Sequence, residues 1–530
     1  MLAISSITAS RYTTTPPEHH VIPASTTQTT SGWASYLPSW GSSPGRAPPS
    51  ATEDKVTGFR NPWPSWHKPT VSEVYTSFQW GEDNDGCAEL AASHLRDSPT
   101  TTKPPKNKLP TFADTKDWPN SLGAKAARLL QIEDPDFSFP KDSKAKATWI
   151  GHAGVLVQLP PLNPQNGRPL RCLFDPIFSD RCSPMGSFAG PIRSYPPPCT
   201  AEDLPPIDVV CISHNHFDHM DHTSLMSIWR YSRNTVRFFV PLGNKRFLLE
   251  WGIPDDRIIE LDWWESVQLT HPRASTPRNT NAPALTIHCT PAQHNSFRTT
   301  GDTNTALWSS WLLESPTPKH QPHNKPVTTT STSTPQPYRV FFAGDTGYQF
   351  HPSPTWPPSP NNPNPQNEQE PFPPCPAFAQ IRTRLGAPNL LLLPVSVGAT
   401  FAYLRSFVPL PDWLSPFPRH SAGVTGANHM PPWDAVRVVK VMVGGGGDGE
   451  TGEGGNGGEV GEGEGAVALA MHWGTFVPDP ADVLRTLGAL EWACKQQGVG
   501  FARGLGEGAV GDGGKGPVFV AVNHGGSICL

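Results

Sequence analysis

The sequence predicts an α/β fold, because short apolar strand-like runs occur alongside helical segments. The clearest strand is residues 207–212, a run rich in β-branched side chains that follows two prolines. A helix comes after it, with Leu225, Ile228 and Trp229 on its inner face. Further strand-like runs cover residues 285–289, 339–342, 389–397 and 466–470, and a helical run covers 434–443.

A cluster of metal-binding side chains comes directly after the first strand. His214, His216, Asp218 and His219 form the pattern H-x-H-x-D-H. Imidazole nitrogens with a carboxylate suit zinc, and also iron or manganese. A loop held by a rigid strand is also where catalytic groups commonly lie. The pattern therefore predicts a metal site at this end of the strand.

Three more strand-like runs are followed by a side chain of the same kind. These side chains are His294, Asp345 and His472. Taken alone, each would more often be an ordinary solvated or hydrogen-bonded residue. Beside the H-x-H-x-D-H cluster, however, several strands that deliver ligands at one end predict a single shared site.

Two metal ions need more ligands than the H-x-H-x-D-H cluster supplies. We therefore assign the seven candidate ligands to two groups of three, with one carboxylate as a bridge between the ions. Asp345 is the predicted bridge, because a carboxylate can offer one oxygen to each ion. A hydroxide between ions about 3.5–4 Å apart would be the nucleophile at neutral pH. The predicted groups are His214, His216 and His294 for the first ion, and Asp218, His219 and His472 for the second.

Several sequence blocks resemble the phospholipases D that hydrolyse N-acyl-phosphatidylethanolamine. H-x-H-x-D-H followed by separated His, Asp and His is the signature of their metallo-β-lactamase fold. The resemblance runs in order from about residue 59 to 478 and is broken by insertions. The blocks are NPWPSW (61–66), TWIGHA (148–153), DPIFS (175–179), SHNHFDHMD (213–221), ELDWW (260–264), PAQH (291–294), LWSSW (307–311), AGDTGY (343–348) and HWGTF (472–476).

The resemblance implies a four-layer αββα sandwich and two zinc ions. It also implies hydrolysis of N-acyl-phosphatidylethanolamine to an N-acylethanolamine and phosphatidic acid. Residues 428–430 match a family position near the substrate phosphate. His429 is therefore a candidate phosphate contact or proton donor, with an ordinary loop histidine as the alternative. The predicted catalytic residues are Asp218, Asp345 and His429.

Other polar residues near the motifs are expected to support the site rather than bind metal. Asp221 and His222 would cap the following helix or hold the ligands in place. His152 matches a family position, and we expect it to be a structural histidine beneath a turn.

The sequence departs from the family pattern around the expected substrate pocket. Asn295 stands where the family has an aromatic residue. Residues 398–406 replace the family's Gly-x-Tyr-x-Pro-Arg-Trp region, and a Pro-rich stretch follows at 407–427. We expect an intact chemistry with an altered pocket. Phe401 and Tyr403 are the predicted substrate contacts. Apolar candidates for membrane attachment, unless they pack in the core, are Phe401, Tyr403, Leu404, Phe407, Trp413 and Leu414.

The chain of 530 residues divides into an N-terminal segment and one hydrolase domain. Residues 1–56 are rich in Ser, Thr and Pro, and we expect them to be disordered. The domain covers residues 57–530. We expect its low-complexity insertions to lie on the surface, at residues 315–337, 351–374 and 444–465.

Composition limits the partners and the location. The net charge of −5 gives no basic excess that would favour nucleic acid. No apolar stretch is long enough for a membrane-spanning helix, so a phospholipid substrate would require peripheral membrane contact. The nine cysteines include no C-x-x-C pair, which argues for a reducing compartment. We expect an intracellular protein, cytoplasmic or peripheral to a membrane. A mitochondrial location and a homodimer stay open.

Two other functions are compatible with the same residues. A different hydrolase of this fold could act on a lactone, an ester, a thioester or another phosphodiester, and the altered 398–427 region keeps this open. A non-catalytic metal-binding scaffold is the second alternative. The predicted ligand set argues against it, because a structural zinc site closes its coordination sphere.

Overall fold

A computed structural model of the chain describes most of the expected domain. The described residues are 3–8, 17–22, 56–76, 85–95, 108–113, 117–161, 167–184, 190–270, 284–299, 301–316, 336–353, 356–363, 372–395, 414, 425–444, 465–505 and 516–530. In chain order the strands are β1 (Ala3–Thr8), β2 (His20–Val21), β3 (Gly58–Phe59), β4 (Lys146–Gly151), β5 (Gly154–Leu159), β6 (Leu170–Phe174), β7 (Val209–Cys211), β8 (Arg237–Pro241), β9 (Ile258–Leu261), β10 (Ser266–Thr270), β11 (Leu285–Thr290), β12 (Ser310–Ser315), β13 (Tyr338–Phe342), β14 (Leu390–Pro394), β15 (Val467–Met471), β16 (Gly500–Ala502), β17 (Val518–Val520) and β18 (Ser527–Cys529). The helices are α1 (Val71–Thr76), α2 (Gly86–Ser93), α3 (Leu122–Leu129), α4 (His222–Ser232), α5 (Lys245–Glu250), α6 (Ala377–Leu385), α7 (Pro432–Val443) and α8 (Pro480–Gln497).

Two large sheets contain most of these strands. The nine-stranded sheet has the order β1-β10-β11-β12-β13-β14-β15-β17-β16, and the seven-stranded sheet has the order β18-β4-β5-β6-β7-β8-β9. In each sheet an antiparallel part adjoins a parallel part, which begins at β13–β14 in the first sheet and at β6–β7 in the second. The central strand β14, with the sequence LLLLP, is buried at every position. Such a continuous apolar run is typical of a parallel strand covered on both faces.

The sheets pack against each other through large aromatic side chains. Phe174 of β6 stacks on Phe342 of β13 with ring centroids 4.6 Å apart. Trp311 of β12 donates its indole N–H to the Ile212 carbonyl, at 3.0 Å, and its ring meets Phe239 of β8 edge to face. These contacts place the main hydrophobic core between the two sheets.

Helices cover the outer faces of both sheets. On the seven-stranded sheet, Leu225 and Ile228 of α4 pack in a second cluster with Val210 and Phe238. On the nine-stranded sheet, α7 packs against β14, α6 and α8. The architecture is therefore the predicted α/β fold, an αββα sandwich. The predicted strands and the helices after residues 221 and 431 are present, with ends that differ by a few residues.

Parts of the N-terminal segment are ordered, although composition predicts disorder for residues 1–56. β1 extends the nine-stranded sheet by pairing antiparallel with β10, and β2 pairs with β3. Composition misses these strands because their pairing uses backbone groups, which every residue type supplies. The other residues of 1–55 lie outside the described part of the chain.

The three predicted insertions are described only at their edges. Residues 317–335, 354–355, 364–371 and 445–464 lie outside the described residues. The sequence predicts that residues 351–374 lie on the surface, but His351, at the start of this stretch, is buried. Its ring stacks on Trp356 with centroids 3.6 Å apart. A Pro-rich composition does not predict such an aromatic contact.

Gly488 permits the close packing of α8 against α2, because a Cβ there would lie 1.8 Å from the Cys87 carbonyl oxygen. In an unconstrained helix, Gly→Ala is favourable by about 1 kcal/mol. We nevertheless expect Gly488→Ala to lower the free energy of unfolding by about 1–3 kcal/mol, because the helices must separate. Urea denaturation followed by circular dichroism measures this. Gly301→Ala, at a position with nothing within 4 Å, is the control. Unchanged stability of Gly488→Ala would contradict the contact.

Candidate functional site

Side chains from strand ends of both sheets converge on one place. The loop after β7 supplies the H-x-H-x-D-H residues. His294 follows β11, Asp345 follows β13 and His472 follows β15. The structure thus brings together all the residues that the sequence predicts as metal ligands. Their roles as ligands stay a prediction.

The predicted first group is compact. The His214 Nε2 atom lies 2.8 Å from His216 Nδ1 and 3.2 Å from His294 Nε2, and the His216 and His294 atoms are 3.3 Å apart. Ligands about 2.0–2.1 Å from a tetrahedral zinc ion would stand roughly 3.3–3.4 Å apart. The three nitrogens therefore have nearly the spacing that one zinc ion requires.

The predicted second group has similar spacing. His219 Nε2 lies 3.2 Å from His472 Nε2 and 3.5 Å from Asp218 Oδ2. His472 Nε2 is 3.9 Å from the same Asp218 oxygen. His152 also approaches this group, because its Nε2 atom lies 2.9 Å from Asp218 Oδ2. A second divalent ion fits these donors, and the potential ligand atoms of His152, Asp218, His219 and His472 all lie within 4.8 Å of one another.

Asp345 lies between the two groups. Its Oδ2 atom is 3.1 Å from His219 Nε2 and 3.8 Å from His294 Nε2. Its Oδ1 atom is 2.9 Å from His472 Nε2. The side chain is almost fully buried. One carboxylate therefore faces ligands of both groups, as a bridge would.

The outer nitrogens of three histidines are held by neighbouring oxygens. His219 Nδ1 lies 2.7 Å from Asp175 Oδ2, His214 Nδ1 lies 2.8 Å from the Ser213 hydroxyl, and His294 Nδ1 lies 3.1 Å from the Asn428 carbonyl. Partners of this kind fix the ring orientation and the tautomer of a metal-binding histidine. Each ring can then direct its Nε2 lone pair to the centre.

The electrostatics of the cluster favour a cation at its centre. Burial, reinforced by His219, lowers the pKa of His214 well below its ordinary value. Burial alone would lower the pKa of His219, but the carboxylates of Asp345 and Asp218 raise it well above its ordinary value. Burial would raise the pKa of Asp345, but His219 and His472 hold it well below. Ionised carboxylates thus surround a point that attracts positive charge, which a metal ion would supply.

Strained backbone accompanies these side chains. His152, Asp175 and His472 have φ values of 52°, 34° and 61°, in the left-handed region that L-residues seldom adopt. The conformation of His152 is fixed by its backbone N–H, which donates to the Thr475 hydroxyl at 2.7 Å, and by its carbonyl, which accepts from His472 N at 2.8 Å. Strain of this kind is commonly concentrated at functional sites.

His429 lies at the edge of the cluster. Its Nε2 atom is 3.0 Å from Asp345 Oδ2, and its ring centroid is 5.1 Å from that of His294. The side chain is 15% exposed, so it reaches both the carboxylate and the solvent. Its role as a phosphate contact or proton donor stays a prediction.

The predicted substrate contacts are described only in part. Phe401 and Tyr403 lie outside the described residues, as do Leu404, Phe407 and Trp413. Leu414 is exposed. Of the expected supporting groups, Asp221 caps α4 by accepting from Ser224 N at 3.0 Å, and His222 packs edge to face on Trp251.

Three residues at the site were missed as functional candidates. Asp175 follows β6 just as the ligands follow their strands, so its position was a usable signal. Asn61 bonds both backbone groups of His294, through Nδ2 to the carbonyl at 2.7 Å and through Oδ1 from the N–H at 3.2 Å. Phe297 is 49% exposed, and its ring lies 4.8 Å from that of His216. Asn61 begins the family-like block at residues 61–66, but no local pattern indicates its contact with His294. Phe297 has no sequence signal, because an exposed aromatic residue belongs to no local pattern.

Part of the chain matches a known family model. Residues 170–351 match the family model described as a β-lactamase superfamily domain. The chain carries a metallo-β-lactamase fold domain. The match includes the H-x-H-x-D-H loop, His294 and Asp345, and it ends before His472.

Relatives of this metallo-β-lactamase fold domain include two named phospholipases. The N-acyl-phosphatidylethanolamine-hydrolyzing phospholipase D 1 of Caenorhabditis elegans is 38% identical over 178 residues, 33% of this chain and 45% of the relative. The mitochondrial N-acyl-phosphatidylethanolamine-hydrolyzing phospholipase D of Saccharomyces cerevisiae is 34% identical over 179 residues, 34% of this chain and 31% of the relative. An uncharacterized protein of Mycobacterium tuberculosis is 34% identical over 225 residues, 42% of this chain and 48% of the relative. The matches thus span about half or less of each relative's length.

Among solved structures, an isothiocyanate hydrolase from Delia radicum gut bacteria is 14% identical, with coverage of 72% of this chain and 98% of that chain and a TM-score of 0.37.

Within the described part of the chain, no helix is both long and apolar enough to cross a membrane.

Asp175→Asn tests how the predicted second ligand group is held in place. Loss of the carboxylate that holds His219 Nδ1 should weaken binding of one of two metal ions by about 10- to 100-fold. Competition with a chromophoric chelator measures both affinities. Asp203→Asn, whose carboxylate caps a turn at Thr200, is the control and should leave both unchanged. Equal affinities in Asp175→Asn and wild type would remove Asp175 from the site.

Proposed function

We propose that this chain is a zinc-dependent phosphodiesterase that hydrolyses N-acyl-phosphatidylethanolamine to an N-acylethanolamine and phosphatidic acid. The observation that carries the proposal is the convergence of two ligand groups on Asp345, with His429 beside that carboxylate. The printed names of the nematode and yeast relatives support the phospholipid as substrate.

The predicted ligands would bind two zinc ions in two groups. His214, His216 and His294 would hold one zinc ion, while Asp218, His219 and His472 would hold the other. Two zinc ions would supply a nucleophile at neutral pH and stabilise negative charge on the phosphoryl oxygens. Five of the seven predicted ligands are buried, while His216 and Asp218 are partly exposed. Electrostatic contacts among the buried ligands are strengthened, because the local dielectric is low.

His429 would assist the departure of the ethanolamide oxygen. An alkoxide is a poor leaving group unless it is protonated as the bond breaks, and a positioned imidazole can deliver that proton. The backbone N–H of His429 bonds to the Thr425 carbonyl at 2.7 Å, so the turn that carries it is fixed. Its Nε2 atom is near Asp345, on the open side of the cluster.

Phe297 offers apolar surface where the substrate would enter. It is exposed beside His216, so an acyl chain or glycerol backbone could pack on it while the phosphate reaches the ligands. Peripheral contact with a membrane would bring such a substrate to the site, because a two-chain lipid does not leave a bilayer readily.

Product analysis tests the reaction. Zinc-loaded protein should release N-acylethanolamine and phosphatidic acid from vesicles of N-acyl-phosphatidylethanolamine, as measured by mass spectrometry. Asp345→Asn should lose at least about 100-fold in rate, because the amide weakens the bridge to both ions. No release by protein that holds its metals would refute the phospholipid and leave another ester, lactone or phosphodiester. Metal binding with no turnover of any of these would favour a scaffold.

His429→Asn separates proton donation from metal binding. We expect kcat for the phospholipid to fall by about 100- to 10 000-fold with unchanged metal content. A p-nitrophenyl phosphodiester, whose leaving group needs no proton, should lose far less. Equal losses on both substrates would instead make His429 a phosphate contact. Full activity on both would leave it an ordinary loop histidine. His94→Asn, at an exposed histidine paired with Glu491, is the matched control.

A further inference from the structure

A second cluster of imidazoles and a carboxylate lies at the turn after β9. His19, His20 and Asp262 are all buried, and their potential ligand atoms lie within 4.8 Å of one another. None of them belongs to the site described above. We propose that His19, His20 and Asp262 bind a third divalent metal ion, which fastens residues 17–22 to the domain.

The two imidazoles enclose the carboxylate. His19 Nε2 lies 2.7 Å from Asp262 Oδ1, and His20 Nε2 lies 2.8 Å from Asp262 Oδ2. These contacts are as short as the 2.8 Å between His214 and His216 in the first ligand group. Two imidazole nitrogens and a carboxylate oxygen form a donor set that suits zinc.

Charge favours a cation at this turn. The Asp262 side chain is 7% exposed, and a buried carboxylate is costly unless positive charge compensates it. Glu265, also buried, accepts a hydrogen bond from the Asp262 backbone N–H at 2.8 Å. Two acidic side chains therefore share one buried turn. Their negative charge would attract a divalent ion there.

The ligands are held in place by the surrounding structure. Asp262 Oδ1 accepts from the Trp263 backbone N–H at 2.7 Å, which fixes the carboxylate. The His19 ring stacks on Trp263 with centroids 4.2 Å apart, and the His20 ring meets Phe59 edge to face at 5.1 Å. A pre-formed set of this kind gives up little conformational freedom when an ion binds.

The metal would tie the N-terminal segment to the catalytic region. Arg60 N donates to the His19 carbonyl at 2.8 Å, and the next residue, Asn61, holds the backbone of His294. Trp63 also stacks on Trp263, at 5.3 Å. The third ion would thus support the segment that orients His294, one of the predicted metal ligands.

Metal stoichiometry of the full chain tests the proposal. Protein is stripped with chelator, reloaded with zinc, desalted and measured by inductively coupled plasma mass spectrometry. The double variant His19→Gln, His20→Gln should hold one zinc equivalent fewer than wild type. Glutamine keeps an N–H donor for Asp262 but is a poor zinc ligand, so a purely hydrogen-bonded clamp would survive the change. His94→Gln is the control and should keep the wild-type count.

Hydrogen exchange provides a second readout that does not depend on turnover. Zinc should slow amide exchange in residues 17–22 and 56–60 at least about tenfold in wild type and leave it unchanged in the double variant. An equal zinc count in wild type and double variant, or exchange that zinc does not slow in wild type, would overturn the proposal and leave a hydrogen-bonded clamp. A missing equivalent in a protein that fails to cleave the phospholipid would support the third site while refuting the proposed reaction.

Discussion

The carboxylate of Asp345 is the group on which the site depends. It is buried where strand ends of both sheets meet, and it faces histidines of both ligand groups. A buried carboxylate is unfavourable unless positive charge lies nearby. The charge that would destabilise a simple hydrophobic core makes this point a suitable place for a metal ion. The aromatic core between the sheets includes the stacked pair Phe174 and Phe342, on β6 and β13. This packing holds the ends of the two strands close together, so that histidines of both groups lie near the carboxylate.

The backbone conformation also directs the side chains of the site towards one another. Asp175 and His472 adopt left-handed φ values directly after β6 and β15, so the chain turns sharply and returns each side chain to the centre. Gly344 lies in the turn before Asp345, where φ is 60° and a Cβ would lie 2.5 Å from the Cβ of Ser213. Because glycine has no Cβ, the chain can approach Ser213 closely, and Asp345 lies against the H-x-H-x-D-H loop. The packing of two large sheets provides the stability that such local strain requires.

The sequence predicts which side chains meet at this place, because the pattern that identifies each one is local. Each predicted ligand follows an apolar strand, and the ends of parallel strands meet at one edge of a sheet. His214 and His472 are therefore identifiable without knowledge of the fold. Asn61 is not, because its effect depends on a backbone contact with a residue more than two hundred positions away. The ordered parts of residues 1–56 escape prediction for the same reason: β1 is stabilised by its pairing with β10, and composition carries no information about that partner.

The N-terminal region then has a different meaning from the one its composition suggests. Asn61, near the start of the domain, bonds both the C=O and the N–H of His294, so the position of this predicted ligand depends on where residues 56–66 lie. Those residues in turn pack on Trp263 and pair with β2. The position of His294 is therefore coupled to β2 in the N-terminal segment, and changes at the turn after β9 can affect the predicted site without touching a predicted ligand.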